Sequence, residues 1–565
     1  MIFRLTFFFA LTVCEDVVVH TKFGFLRGER FQTRQGAHVD SFLGVPFAKS
    51  PKRLQRAEIV DPWPNIKRVQ NYSAKCIPSI RPAADDGFSE DCLYLNIFAP
   101  ANRDATSTFP VVIFVHGGEF AEGKKLYTQK FYNTLLGDSN DANNTEFAEK
   151  FVPEGIILVT IQYRLGALGF LTLGANSSVL TCNLGLWDQV LAFQFISETI
   201  SSFGGDSQKM TLMGHSAGAM STSFHSISPI SSKFFDNYIQ LSGSAWSFSR
   251  YANNNKIYSQ RILKDLNCEY NSALELEECF NGKSLDELYS AQVGTALFPE
   301  LGDDLLPEVN LKEFSKKNLL TGLQTLEALF FTYLKTTPKI FPYVDRSTVE
   351  DYLNTTVALR FGAEAGQALN LLSDYFIPSN ISNDDYAVFM RQKTKIESNI
   401  VFDIPVLREI RDKLPFANSI FVYHFEYFND AEFDPNFPVK ATYHCQEFPY
   451  VWNVYKDNFF KFNENDKLVE KFFVSALINF IKTGNPSNEN FTWPKTDDTL
   501  LHVRVLPEPV LDHGLFGSDC QFWDNLRSTL GYDFITNLKY VESASNTLPQ
   551  SLMLFIFALC IYHNL

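Results

Sequence analysis

The residues most able to do chemistry lie in the pentapeptide Gly214-His215-Ser216-Ala217-Gly218. A G-x-S-x-G run sets a serine on a strained turn between a strand and a helix. The flanking glycines let backbone neighbours approach closely, and the strain projects the hydroxyl toward a base. Five such residues recur by chance in many proteins, so their surroundings decide. The apolar run Lys209 to Gly214 (KMTLMG) leads straight into the serine, and Ala217 to Ser226 follows with helical character. A second segment, His116-Gly117-Gly118-Glu119-Phe120, closes the apolar run Pro110 to His116. Its backbone N–H groups at Gly118 and Glu119, with that of Ala217, can face a developing oxyanion. Alone it would be an ordinary tight turn after a strand; beside the serine motif it points to acyl transfer through a nucleophilic serine.

These segments need rigid elements to hold them. PVVIFVH (Pro110 to His116) and GIILVTIQY (Gly155 to Tyr163) are apolar without alternation, as suits strands covered on both faces in a parallel sheet. Strand, tight turn and helix around Ser216 complete the context that the motif requires. From about Asn253 to Phe433 the sequence is more helical and charged, which reads as helical excursions inserted into one catalytic domain. The polar stretch Gly137 to Thr145 reads as an exposed loop. No repeat of fixed period divides the chain, which excludes solenoids.

The 565 residues carry 45% hydrophobic and 20% charged side chains, as in an ordinary globular protein. The 54 Phe predict an aromatic core and an aromatic pocket wall. A net charge of -15 argues against nucleic acid as a partner, since phosphate binding needs a basic surface.

The resemblance to a known family rests on many segments. They include Phe42-Leu43-Gly44-Val45-Pro46-Phe47-Ala48, Ser89-Glu90-Asp91-Cys92-Leu93-Tyr94-Leu95-Asn96 and Tyr163-Arg164-Leu165-Gly166. Asn183-Leu184-Gly185-Leu186-Trp187-Asp188-Gln189, Phe203-Gly204-Gly205-Asp206, Thr483-Gly484-Asn485-Pro486 and Cys520-Gln521-Phe522-Trp523 extend it. Over roughly Val19 to Trp523 the chain resembles the type-B carboxylesterase/cholinesterase family. The resemblance implies an α/β-hydrolase fold, with a mostly parallel central sheet flanked by helices and helical insertions. It also implies a triad in the order Ser, Glu, His. His444, in Ala441-Thr442-Tyr443-His444-Cys445-Gln446-Glu447, matches the family's histidine segment and would act as general base to Ser216. Glu327 stands in the slot of the family's acid, with Ala328 where the family has Gly. Ser242, in Leu241-Ser242-Gly243-Ser244, resembles a supporting serine close to the histidine. No metal and no organic cofactor are implied.

Two departures bear on activity. Glu119 stands where the family often has Gly, and a carboxylate beside an oxyanion hole opposes the charge it must stabilise. His215 stands where the family often has Glu. The cholinesterase subgroup is disfavoured, because the short loop between Cys76 and Cys92 contains no Trp for a choline cation.

Nine cysteines are present, and Cys14 and Cys560 fall in the ends of the chain. Cys76 with Cys92, and Cys268 with Cys279, would each close a short loop. Seven is odd, so at least one is free or pairs with another chain. The family's third bridge lacks an evident partner for Cys520, with Ile404 where that cysteine would be; Cys520 is then free, or pairs with Cys182 or Cys445.

Residues 1–14 read as a secretory signal peptide, with Arg4 ahead of the short apolar run Leu5 to Val13. The other reading is a buried first strand. Six sequons, at Asn71, Asn143, Asn176, Asn354, Asn380 and Asn490, fit a secreted or cell-surface glycoprotein. Residues 15–542 would form the catalytic domain. In 543–565, small residues Ser543 to Ser545 precede an apolar run, Leu552 to Tyr562. That order matches a glycolipid-anchor signal giving membrane attachment, the other reading being a plain hydrophobic tail. The function expected is hydrolysis of an uncharged small-molecule ester through an acyl-enzyme. The reading from another class is a cholinesterase-like cell-surface adhesion or signalling protein.

Overall fold

Uninterrupted apolar runs form the middle of the sheet in the computed structural model. It describes residues 15–539 except 81–86, 105, 122–142, 248, 308–315, 334–342, 378, 454–459 and 536–537. The strands of the main sheet are β1 (Glu15–Thr21), β2 (Gly24–Gln32), β3 (His38–Pro46), β4 (Tyr94–Pro100), β5 (Phe109–Val115) and β6 (Ile157–Ile161). Then come β7 (Gly205–His215), β8 (Asn237–Leu241), β9 (Asn318–Gln324), β10 (Ser419–Phe425), β11 (His502–Val505) and β12 (Val510–Asp512). Their order is β1-β2-β3-β4-β6-β5-β7-β8-β9-β10-β11-β12, with Lys67–Arg68 beside β2 off this path.

Every pair from β6 through β11 is parallel, and the pairs outside this stretch on the path are antiparallel. The apolar pattern explains the difference. All five residues of β6 are buried, so both its faces are covered, at about 1.5–3 kcal/mol for each large aliphatic side chain. β1, by contrast, alternates toward solvent in the pattern expected of an edge.

Helices α1 (Leu184–Thr199), α2 (Ala217–Ile227), α3 (Ile404–Lys413) and α4 (Glu464–Thr483) accompany this sheet. Helix α4 is closed at its N-terminus by a capping box between Asn463 and Asp466. The span from Asn253 to Phe433 is not helical throughout. It contains β9 and β10, two inner strands of the parallel sheet, between helical excursions such as Ser249–Asp265 and Tyr386–Ser398. Asn143–Phe151 is a helix, so the C-terminal end of the stretch read as a loop is helical. The rest of that stretch lies outside the described residues.

Cys76–Cys92 and Cys268–Cys279 are disulfides. Cys182, Cys445 and Cys520 are free, so the alternative pairings of Cys520 are not made. Both the signal-peptide segment 1–14 and the segment 543–565 lie outside the described residues. Among those described, no helix is long and apolar enough to cross a membrane.

Candidate active site

Ligands of open parallel sheets gather at the carboxyl ends of the strands, and five neighbouring strands here end on loops that carry the predicted residues. The register aligns these ends: Gly214 lies opposite Val115, His215 opposite Leu241, and Leu241 opposite Gly322. Ser216 follows β7, the 116–120 loop follows β5, Ser242 follows β8, Glu327 follows β9, and His444 lies beyond β10.

Ser216 takes φ 56° and ψ -122°, a conformation L-residues rarely adopt. Its N–H donates to the Leu241 carbonyl at 2.9 Å. The two glycines of the pentapeptide press together: a methyl on Gly214 would overlap the Gly218 carbonyl, and one on Gly218 would overlap the carbonyl of Val115. The motif is thus the sequence that lets β7 turn into α2 against β5.

The Nδ1 of His444 lies 2.8 Å from Oε2 of Glu327. The other Glu327 oxygen accepts from the Ser242 hydroxyl at 2.7 Å and from the Gln324 N–H at 2.8 Å. The main chain ties the same loops together. His444 N–H donates to the Glu327 carbonyl at 3.1 Å, and Leu326 N–H to the Thr442 carbonyl at 2.9 Å. Ala328 is not among the residues with positive φ, so its methyl strains nothing, and its N–H donates to Ser398 Oγ at 3.0 Å. Ser242 therefore supports the acid rather than touching the histidine ring.

His444 is 2% exposed, and its Nε2 has no hydrogen-bond partner among the described residues. Its ring is walled by Phe402 at 4.7 Å, Phe330 at 5.8 Å and Phe331 at 6.3 Å between centroids, and by His215 at 4.5 Å. The aromatic wall expected from the composition is present at this histidine. Burial, and secondarily the charge of His444, holds the His215 imidazole well below its ordinary pKa, so it is neutral. Glu447 lies 3.8 Å from His215 Nε2 and accepts from Gln324 Nε2 at 2.7 Å. Burial, helped by the charge of Glu327, pushes the Glu447 carboxyl up to about 8.

The loop after β5 winds through positive φ at Gly118 (104°), Glu119 (55°) and Phe120 (56°). It lies against the serine: a Cβ on Gly117 would stand 2.7 Å from the His215 carbonyl and 3.0 Å from Ser216 Cβ. Ala217 opens α2, so its N–H has no acceptor within the helix. His116 is a packing residue, stacked on Tyr163 at 4.3 Å and lowered by burial to about 4.

Sequence comparison agrees with this geometry. Residues 15–523 match the model of the carboxylesterase family. The chain belongs to the carboxylesterase family. Among its relatives, Gut esterase 1 of Caenorhabditis briggsae is 28% identical over 94% of this chain and 96% of its own length. Acylcarnitine hydrolase of Rattus norvegicus is 28% identical over 89% and 90%, and cocaine esterase of Homo sapiens 26% over 86% and 87%. As a carboxylesterase, the chain is an enzyme that hydrolyses carboxylic esters.

Several family-like segments of this carboxylesterase hold the scaffold rather than the substrate. Arg164 forms a buried two-pronged pair with Asp188, both bonds 2.7 Å, joining the Tyr163 and Asn183 segments. Asn96 accepts the Gly44 N–H at 2.9 Å and donates to Thr160, joining the Ser89 and Phe42 segments. Gln324 escaped the sequence reading, although it bonds both Glu327 and Glu447. Its one signal was a polar residue at the end of a buried strand.

Proposed function

We propose that this carboxylesterase works through an acyl-enzyme, with Ser216 as nucleophile, His444 as general base and Glu327 as the acid that orients it. The observation that carries the reading is His444: Nδ1 is fixed by Glu327, which leaves Nε2 as the nitrogen able to accept a proton. Ser216 Oγ attacks the ester carbonyl carbon while its proton passes to His444 Nε2. The N–H groups of Gly118, Glu119 and Ala217 stabilise the oxyanion. His444 then gives the proton to the departing alcohol and takes one from water; the hydroxide attacks the acyl carbon, and His444 returns that proton to Ser216 Oγ as the acid leaves.

Aromatic walls around His444 suit an uncharged ester, because a charged group would lose its hydration there without a partner. The adhesion reading has no comparable support: the residue types of nucleophile, base and acid are all kept. We place the enzyme on the secretory route with residues 1–14 as signal peptide, and 543–565 as the anchor signal. Two disulfides support export, as do the exposed sequon residues Asn71, Asn176, Asn354, Asn380 and Asn490.

The test is hydrolysis of short- and medium-chain nitrophenyl esters by wild type and Ser216→Ala, alongside fluorophosphonate labelling. Turnover and labelling both lost in the variant are expected. Undiminished turnover in a folded Ser216→Ala protein overturns the assignment.

A further inference from the structure

His215, His444 and Cys445 each bring one potential ligand atom to a common point, all within 4.8 Å of one another and all buried. Neither histidine ring is satisfied in the way a packing residue is. Both ring nitrogens of His215, which is 1% exposed, lack a hydrogen-bond partner among the described residues, as does His444 Nε2. A buried polar atom without a partner costs about 1–3 kcal/mol, and an ion between the two rings would take up one nitrogen of each. Cys445 is a free thiol at φ 77°, where a side chain strains the backbone and glycine would not.

We propose that these three residues form an inhibitory binding site for a borderline-soft divalent cation, with Zn2+ as the ion of choice. Two imidazoles and a thiolate with a fourth position open to water is a zinc ligand set. The Glu327 carboxylate on Nδ1 of His444 is the outer partner that orients a ligating histidine through its other nitrogen. Ligand atoms around tetrahedral zinc stand roughly 3.5 Å apart, so closing the site asks for movements of about 1 Å by the His215 and Cys445 side chains. Burial keeps Cys445 a protonated thiol, so the ion has to displace its proton. On binding, the Cys445 S–H bond gives way to a Zn–S bond, and its proton leaves to solvent.

The inhibitory consequence rests on His444 being the base. With zinc on Nε2, the nitrogen that must take the Ser216 proton is occupied, so kcat falls and Ser216 loses its reactivity toward a fluorophosphonate. Binding itself does not depend on that reading and is measured without substrate. The full chain, stripped with a chelator and dialysed, is titrated with Co2+ and Zn2+. One cobalt per chain is expected, with a thiolate-to-cobalt absorption band displaced by zinc. Activity should fall with the same zinc dependence and return with chelator. Cys445→Ala should abolish the band, and both it and His215→Asn should weaken zinc binding by at least about tenfold, with folding checked by circular dichroism. The result that overturns the proposal is cobalt binding without a thiolate band, or zinc affinity unchanged in whichever variant folds. An intact cobalt site in a chain that hydrolyses no ester would instead overturn the catalytic reading and leave the metal site standing.

Discussion

Glu327 holds His444 twice, by its carboxylate on Nδ1 at 2.8 Å and by its main-chain carbonyl on the His444 N–H at 3.1 Å. The two residues are 117 positions apart in the chain, so the way the loops after β9 and β10 meet fixes the orientation of the His444 ring. Glu327→Gln keeps the shape and the main-chain bond but can present an N–H to Nδ1. The wrong tautomer then costs kcat roughly 10³–10⁴-fold with little change in KM. Steady-state kinetics beside a melting curve checks this: a drop in activity matched by a collapse in Tm would mean that the residue only supports the fold.

The glycines at the serine divide into two kinds. Gly218→Ala drives a methyl into the Val115 carbonyl, backbone against backbone, where neither side can yield. We expect a loss of at least about 3 kcal/mol and poor recovery of soluble protein. Gly117→Ala meets the His215 carbonyl at 2.7 Å and Ser216 Cβ at 3.0 Å, a smaller overlap than the 2.0 Å a methyl on Gly218 makes with Val115. It should fold and lose kcat, because the displaced loop misaims its N–H groups. Equal Tm values for the two variants would contradict this division.

Glu447 gives stability a pH dependence of defined sign. Burial holds its carboxyl at about 8 in the fold, against about 4.3 in an unfolded chain. Between those values the folded state keeps a proton that the unfolded state has lost, so stability falls as pH rises through that window. Glu432, raised by burial to about 7 against the bonds from Tyr443 and Gln446, acts in the same direction. Glu447→Gln cannot titrate. Its Tm should therefore decline less between about pH 5 and 8 than that of wild type, with Glu432, Asp403 and Asp412, all raised by burial, contributing to the slope that remains. Parallel profiles for the two proteins would show that Glu447 is ionised in the fold.

Sequence patterns carried the serine side of the site, because the constraint there is local. Glycines at 214 and 218, an apolar strand before and a helix after are readable within a dozen residues. Strands β5 and β6 were legible for a related reason, since burial on both faces leaves no polar alternation. Neither β9 (NLLTGLQ) nor β10 (SIFVYHF) stood out within a helix-rich stretch, because short apolar runs carry too few residues to fix a period. Glu327 and His444 were reachable only through the family likeness, since no local pattern joins residues that meet across two strands. The Gln324–Glu447–His215 cluster was illegible for the same reason. Its members come from the ends of β9 and β7 and from the segment after His444, and its chemistry lies in what each lacks as a partner.

Glu119 combines two separable effects in the loop that faces the oxyanion. Its φ of 55° strains any side chain, and it carries a carboxyl on the loop whose N–H groups the proposed mechanism turns toward an anion. Glu119→Gln removes the charge and keeps the strained backbone; Glu119→Gly removes both. The charge acts on the transition state, so both variants should raise kcat on a nitrophenyl ester by a similar factor, on the order of tenfold or about 1.4 kcal/mol. The strain acts on the fold, so Glu119→Gly alone should gain stability, about 1 kcal/mol, seen as a higher Tm. A kcat that rises in Glu119→Gly but not in Glu119→Gln would assign the effect to loop geometry instead of charge. A fall in both would mean that the carboxylate helps to hold the loop in its oxyanion-binding shape.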